Sequence, residues 1–245
     1  MDTTHIWDQF ALHRNKIGFI LILLVLPWAS HGQGFLWARM HNPHYDDRKI
    51  SYGFMIGLHT SAYQVNYSNQ FVTPKLDTVH SVVGSYSPGF SLGFLVNLSL
   101  NEFLDLRVLP KAGFYQHKLT YYYTNNTSTN QFVETTMVEI PLLLKYKSMR
   151  RGNVRMYMVG GLTPGIEASG KKAIQSSSDN LAINKLNLSL EGGMGFDFYF
   201  PLFKFSQEIR FSRGLVNMLA ADPSVYRVPI KRLNTNTISV YFIFQ

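Results

Sequence analysis

The sequence contains no cysteine and few charged residues. Charged side chains make up 16% of the 245 residues, against about 25% in an average soluble domain. No disulfide can therefore constrain the chain. The mean hydropathy is −0.04, which excludes a bundle of membrane helices, whereas aromatic residues are frequent at 14%.

Long apolar runs are also missing, apart from one short run near the start. Residues 17–26 are apolar, but a membrane-spanning helix needs about 20 such residues. Arg14 and Lys16 precede the run and Pro27 ends it, an order typical of a cleaved signal peptide. We expect residues 1–32 to be a signal peptide, with an uncleaved anchor as the alternative. An exported chain without disulfides needs another constraint, and a closed β-barrel supplies one.

The net charge is +8, which raises the possibility of a nucleic-acid partner. The basic residues are scattered at alternate positions and do not form a patch or stripe. Because nucleic-acid binding requires clustered basic residues and the chain is expected to be exported, we predict no nucleic-acid partner.

From Ile50 onward the hydrophobic pattern has a period of two, which predicts β-strands. Between residues 185 and 200, most even positions are leucine or phenylalanine, and most odd positions are polar, charged or glycine. The pattern predicts eight strands, at residues 49–68, 87–100, 103–124, 131–148, 153–169, 185–200, 202–219 and 232–244. Long connections are predicted near 69–86, 125–130, 170–184 and 220–231, with short turns between them. This alternation is typical of outer-membrane barrels.

The sequence thus predicts an all-β fold, an eight-stranded antiparallel up-and-down transmembrane β-barrel over residues 49–245. A lead-in at residues 33–48 would precede it, and both chain ends would lie in the periplasm. A soluble lipocalin-like barrel would instead keep its apolar face inside. The aromatic apolar face and the mixed charges on the other face favour the membrane. So does the final strand, where Phe242 and Phe244 alternate with other residues.

The charged face of the strands is expected to line the interior, which eight strands leave just wide enough for side chains. Buried charges must be paired, so we predict a structural salt-bridge network; a proton or ion path is the alternative, and a general porin is not expected. Its predicted members are Asp105, Arg107, Lys111, Glu139, Lys145, Lys147, Glu191, Asp197, Lys204, Glu208 and Arg210.

Three segments resemble known site motifs, but none has the required context. Residues 89–93 match the nucleophile-elbow pattern, yet strand alternation continues through Ser91 where a helix should begin. Residues 165–171 resemble a phosphate-binding loop, yet Lys172 follows and no helix is predicted. The acidic and histidine residues of the lead-in fit no strong zinc spacing: His41, His44, Asp46 and Asp47. We therefore predict no catalytic residue, cofactor or metal, and no enzymatic activity.

From about residue 43 to 244 the sequence resembles the PorT family of outer-membrane proteins. The strongest segment is Val138-Glu139-Ile140-Pro141-Leu142-Leu143-Leu144-Lys145-Tyr146-Lys147-Ser148. Other matching segments lie at residues 45–58, 104–110, 160–161 and 203–211. Pro141 removes a ladder donor and is expected to mark a bulge.

The resemblance implies a role in the type IX (Por) secretion system, which exports proteases, adhesins and gliding-motility proteins. It implies an accessory or assembly role, because eight strands cannot form a translocation pore. The expected partners are outer-membrane lipids and other secretion-system proteins, without a small-molecule substrate. Two alternatives remain open: a barrel that binds or adheres through its outer loops, and a lipid-modifying enzyme, which would need a His/Ser pair near the outer rim.

Overall fold

A computed structural model of the chain describes residues 40–68, 79–168, 183–220 and 229–245. The predicted signal peptide and most of the connections predicted at 69–86, 170–184 and 220–231 lie outside the described residues. Residues Asn42–Gln245 form one compact unit. Within the described ranges, no helix is long and apolar enough to cross a membrane.

Eleven β-segments follow a short 3-10 helix at Pro43–Tyr45. They are β1 (Ile50–Tyr67), β2 (Val79–Ser85), β3 (Ser87–Ser99), β4 (Leu104–Val108), β5 (Lys111–Tyr123), β6 (Ser128–Glu139), β7 (Leu142–Lys147), β8 (Val154–Glu167), β9 (Leu186–Tyr199), β10 (Lys204–Gly214) and β11 (Ile230–Phe244). The pairs β2/β3, β4/β5 and β6/β7 are each separated by one or two residues and continue in one direction. The segments therefore make eight wall strands.

The wall strands form a closed antiparallel ring. β1 pairs with β3 on one side and with β11 on the other, so that Phe54 lies opposite both Phe94 and Phe244. The remaining neighbours also pair in chain order through to β10 and β11. The predicted fold class, an eight-stranded antiparallel barrel, is confirmed. We call the end with the short turns near Asn101, Gly152 and Pro201 the turn end, and the opposite end the loop end.

Pro110, Pro141 and Pro164 lie in neighbouring wall strands without breaking the ring. Proline cannot donate to a ladder, but its carbonyl still accepts: Leu109 N donates to Pro141 O at 3.1 Å and Ile140 N to Pro164 O at 3.0 Å. The bulge expected at Pro141 is not found. Glu139 and Leu142 are three residues apart, as are their partners in β8, Gly165 and Leu162, so no residue is inserted.

Apolar side chains cover the outside of the ring. On β1, the outward-facing Tyr52, Phe54, Ile56 and Leu58 are all exposed, and the neighbouring strands repeat the pattern. From Ile50 to Leu58 this apolar belt is roughly 20 Å tall, at about 3.4 Å per residue and a tilt of about 40°. A belt of about 25 Å is typical of membrane barrels. The face that a lipocalin would bury is thus turned outward.

The strand boundaries differ from the prediction in two places. Residues 79–85, predicted within a connection, form β2 and pair with β5. Apolar and polar residues do not alternate clearly along β2. The Tyr67 hydroxyl adds to its pairing with β5 by donating a hydrogen bond to Val82 O at 2.9 Å. β10 ends at Gly214, although the strand was predicted to reach 219. There the chain turns inward, and Met218 and Leu219 are buried.

Candidate functional site: the barrel interior

The interior of the turn half is filled by charged side chains. The structure places all eleven predicted charged residues there, none more than 6% exposed. Inward positions of neighbouring strands bring them together, because every second residue of each wall strand points into the ring. Six are basic and five are acidic, so opposite charges nearly match.

Glu208 lies at the centre of this network. Its Oε2 accepts from Arg107 Nη1 at 2.7 Å and from the Tyr157 hydroxyl at 2.8 Å. Its Oε1 contacts Arg210 Nε, and Arg210 reaches on to Glu191 Oε2 at 3.2 Å. Wall strands that are not neighbours, such as β4 and β10 on opposite sides of the ring, thus become cross-linked through side chains.

Further ion pairs fill the interior on either side of this centre. Toward the turn end, Lys145 Nζ lies 2.6 Å from Asp197 Oδ2, and Lys147 Nζ lies 2.6 Å from Asp105 Oδ1. Toward the loop end, Lys111 Nζ lies 3.0 Å from Glu139 Oε2. Lys204, for which no ion pair is found within the described residues, lies 4.5 Å from the centre of the Tyr45 ring. A cation over an aromatic face is stabilised electrostatically.

The lead-in closes the turn end. Asp46 Oδ1 accepts from the Tyr199 hydroxyl at 2.8 Å and from Arg155 Nη1 at 3.1 Å, and Arg150 Nη1 lies 3.6 Å from Asp46 Oδ2. Arg150 also stacks over the Tyr199 ring at 3.7 Å. Tyr45 is buried beside them, and this burial raises the pKa of its hydroxyl to about 12. We call residues 42–48 the latch.

The latch brings together only part of the metal-ligand set considered from sequence. His44 Nδ1 and Asp47 Oδ2 lie 3.1 Å apart but are exposed, whereas Asp46 is taken by arginines. Within the described ranges, no group of three or more metal-ligating side chains is found. The polar composition of the lead-in did not reveal that Asp46 binds the barrel, because its partners lie more than 100 residues away.

The loop half of the interior contains groups that the sequence analysis did not single out. Ser61 Oγ and His117 Nε2 are 2.5 Å apart and both residues are buried. The His117 ring stacks on Tyr63, with ring centres 4.0 Å apart, and His59 stacks on Tyr115 at 4.3 Å. The alternating positions 59, 61 and 63, and 115 and 117, were a signal that these side chains share the interior.

The Ser61–His117 pair lacks the surroundings of a hydrolase. A working base is oriented by a third group, but among the described residues His117 Nδ1 has no hydrogen-bond partner. The adjoining cavity is about 30 Å³, which is space for water and not for a lipid ester. Ser91, the candidate from the elbow motif, is fully buried within β3, and among the described residues its hydroxyl has no hydrogen-bond partner.

An apolar layer lies beyond these histidines. It packs side chains from several wall strands and from the segment after β10: Tyr63, Val82, Leu119, Tyr121, Met218, Leu219, Ile230 and Leu233. The interior is therefore filled by the latch, the charge network, the histidine level and this apolar layer, in that order from the turn end.

The phosphate-loop-like segment is part of the wall. Gly165 and Ile166 belong to β8 and pair with both β6 and β9. Lys171 and Lys172 lie outside the described residues. Because Gly165 is paired with a residue on each side, its backbone is part of the β-ladders.

Residues 37–220 match the family described as outer membrane protein beta-barrel domain. Among solved structures, OprG from Pseudomonas aeruginosa is 13% identical, with 80% of this chain and 95% of that chain covered and a TM-score of 0.46. Neisserial surface protein A is 12% identical, with 80% and 98% covered and a TM-score of 0.42. Ail of Yersinia pestis is 13% identical, with 79% and 96% covered and a TM-score of 0.35. These structural likenesses are too distant to carry an argument about function, and no curated protein matches the sequence.

Proposed function

The chain belongs to the outer membrane protein beta-barrel domain family, and on that premise we propose that it is a non-conducting accessory of the type IX secretion system. In this proposal the turn end and both chain ends face the periplasm. The barrel anchors and positions other secretion proteins there, and cargo crosses the membrane elsewhere.

The observation that carries the proposal is the filled interior. The latch, the ion pairs and the apolar layer occupy successive levels of the barrel interior, from Asp46 to Leu233. The cavity beside His117 has a volume of about 30 Å³, which is too small for an unfolded polypeptide. A barrel without a conduit can still support secretion by holding a partner.

A second observation concerns where the PorT-like segments lie. Residues 45–48 belong to the latch, 104–110 contribute Asp105 and Arg107, and 203–211 contribute Lys204, Glu208 and Arg210. The strongest segment, 138–148, contributes Glu139, Lys145 and Lys147. The residues that carry the resemblance thus converge on the turn half, which supports a working surface at that end.

The first test is the secreted-protein profile of a strain that lacks the gene, with a complemented control. Retained type IX cargo that is released again on complementation would support the role. Normal secretion would end it. If secretion is lost in the deletion strain and restored by complementation, point variants of the complementing gene can then show which end of the barrel is required.

Mapping uses matched charge reversals on exposed residues. Lys49→Glu with Arg151→Glu changes the turn end, and Lys231→Glu with Arg213→Glu changes the loop end by the same charge. We expect the turn-end variant to reduce secretion and the loop-end variant to leave it unchanged. An unboiled gel confirms that both barrels are folded.

A binding function at the loop end is the second candidate. The β5–β6 hairpin favours it, because it continues beyond the apolar belt with outward-facing Gln116, Lys118 and Glu134. It ends in a turn at which Asn126 has a φ of 61°. If shortening residues 124–127 abolishes function while the turn-end reversal does not, this candidate replaces the secretion role.

A further inference from the structure

The wall contains an inserted residue between the second and third wall strands. Ser85 pairs with Lys118 and Phe90 pairs with Phe114, so five residue steps on β2/β3 face four steps on β5. Pairing is interrupted between these points, as expected for a bulge. Gly89 lies in the bulge, and a Cβ there would clash with the Phe114 carbonyl and with the His59 ring.

The bulge opens a groove of about 360 Å³ on the outside of the barrel. This volume is within the range of small-molecule sites, about 300–1,000 Å³. Phe90 and Phe114 form its apolar part, with ring centres 4.7 Å apart. Gln116 and Glu134 form its polar part.

The groove crosses the loop-side edge of the apolar belt. Phe114 is the last outward apolar residue of β5 before Gln116 and Lys118, and Phe90 pairs with it on the neighbouring strand. A molecule in the groove therefore meets an apolar surface on the membrane side and hydrogen-bonding groups on the other. A lipid has the matching arrangement, with apolar acyl chains on the membrane side and a polar headgroup on the other.

Two side chains of opposite charge, Lys118 and Glu134, lie at the polar end of the groove and do not form an ion pair with each other. Lys118 pairs with Phe132, and Gln116 pairs with Glu134, so Lys118 and Glu134 are diagonal neighbours on the outer face, roughly 7–8 Å apart. Lys118 Nζ lies over the Phe132 ring at 5.8 Å. In the described part of the chain neither Lys118 nor Glu134 forms an ion pair. Glu134 is approached only by Gln116 Nε2, at 3.5 Å.

We propose that this groove binds one phospholipid with a zwitterionic phosphate–ammonium headgroup. The ammonium donates to the Glu134 carboxylate, the phosphate binds Lys118, and an acyl chain lies on Phe90 and Phe114. A headgroup that carries both charges satisfies both side chains, whereas a purely anionic headgroup would place its charge beside Glu134. This proposal does not depend on the secretion role, since it concerns the opposite end of the barrel.

The test is native mass spectrometry of the detergent-solubilised full barrel, titrated with defined lipids. We expect one phosphatidylethanolamine to bind more tightly than phosphatidylglycerol, which lacks the ammonium, or phosphatidylcholine, whose ammonium cannot donate. Glu134→Gln and Lys118→Gln should each weaken that binding about fivefold, the effect of losing one exposed charge pair. Glu102→Gln, at an exposed turn-end site, is the matched control and should change nothing.

A second pair of variants tests the apolar part. Phe90→Ala should weaken binding, whereas Phe211→Ala, at an outward-facing position on β10, should not. Equal binding of the three lipids, or equal effects of groove and control variants, would overturn the proposal and leave ordinary contact with bulk lipid. The altered side chains face the outside of the barrel, and an unboiled gel verifies the fold of each variant.

Discussion

Replacing Asp197 with asparagine tests whether the interior charges are mutually dependent. Lys145 Nζ lies 2.6 Å from Asp197 Oδ2, and neither side chain is more than 1% exposed. At an effective dielectric constant of about 20, two charges at this distance attract by about 6 kcal/mol. Without Asp197, Lys145 keeps only the Tyr157 ring, 3.7 Å away, which contributes about 1–2 kcal/mol.

We expect Asp197→Asn to lower the free energy of unfolding by about 3–5 kcal/mol, the usual cost of leaving a buried charge without its partner. The double variant Lys145→Met with Asp197→Asn removes both charges. It also keeps an oxygen for the Ser206 hydroxyl, which donates to Asp197 Oδ1 at 2.5 Å. Because a neutralised buried pair is often as stable as the original, the double variant should recover most of the loss.

Urea unfolding in lipid vesicles provides the measurement, with the band shift between unboiled and boiled samples as the readout. The single and double variants are compared with the wild-type protein in the same vesicles. A single variant within 1 kcal/mol of wild type, or a double variant as unstable as the single one, would refute the reasoning. The first result would mean that water reaches these charges, and the second that the lost stability does not come from the unpaired lysine.

Three further predictions concern the latch, the wall and the histidine level. Asp46→Ala should speed trypsin cleavage at the neighbouring basic residues without loss of the barrel band, whereas His44→Ala, an exposed control, should not. Gly161→Ala should cost about 1–3 kcal/mol because the new methyl group would clash with the Leu142 carbonyl, while Gly160→Ala, whose Cβ would meet almost nothing, should be neutral in the same urea assay. A fluorophosphonate probe should not label Ser61 in the folded barrel; labelling that disappears in Ser61→Ala would instead show a reactive serine.

The ring was predictable because alternation is a local signal. β9 shows it in full, with leucine, methionine and phenylalanine outward and Glu191 and Asp197 inward. β2 was missed because it has valine on both faces, Val82 inward and Val83 outward, and so shows no clear alternation. Its pairing with β5 comes from tertiary contacts. Propensity and pattern cannot report such a partner in advance.

Which charges would face inward could be inferred, but not which would meet. Arg107 and Glu208 are 101 residues apart in sequence, and their contact depends on the register of every strand between them. The same holds for Ser61 and His117, 56 residues apart. The role of Asp46 was hidden for a different reason, since an irregular polar segment carries no periodic signal.

The latch also sets an order of events during assembly. Asp46 lies 109 residues from Arg155 and 153 residues from Tyr199, and contacts of such long sequence separation carry a high cost of chain closure when they form early. Its binding site exists only after β8 and β9 stand side by side. The latch is thus the last part of the barrel unit to find its place, and among the described residues the contacts that hold it there are made by side chains of the barrel. It can be released again while every backbone ladder of the ring stays intact.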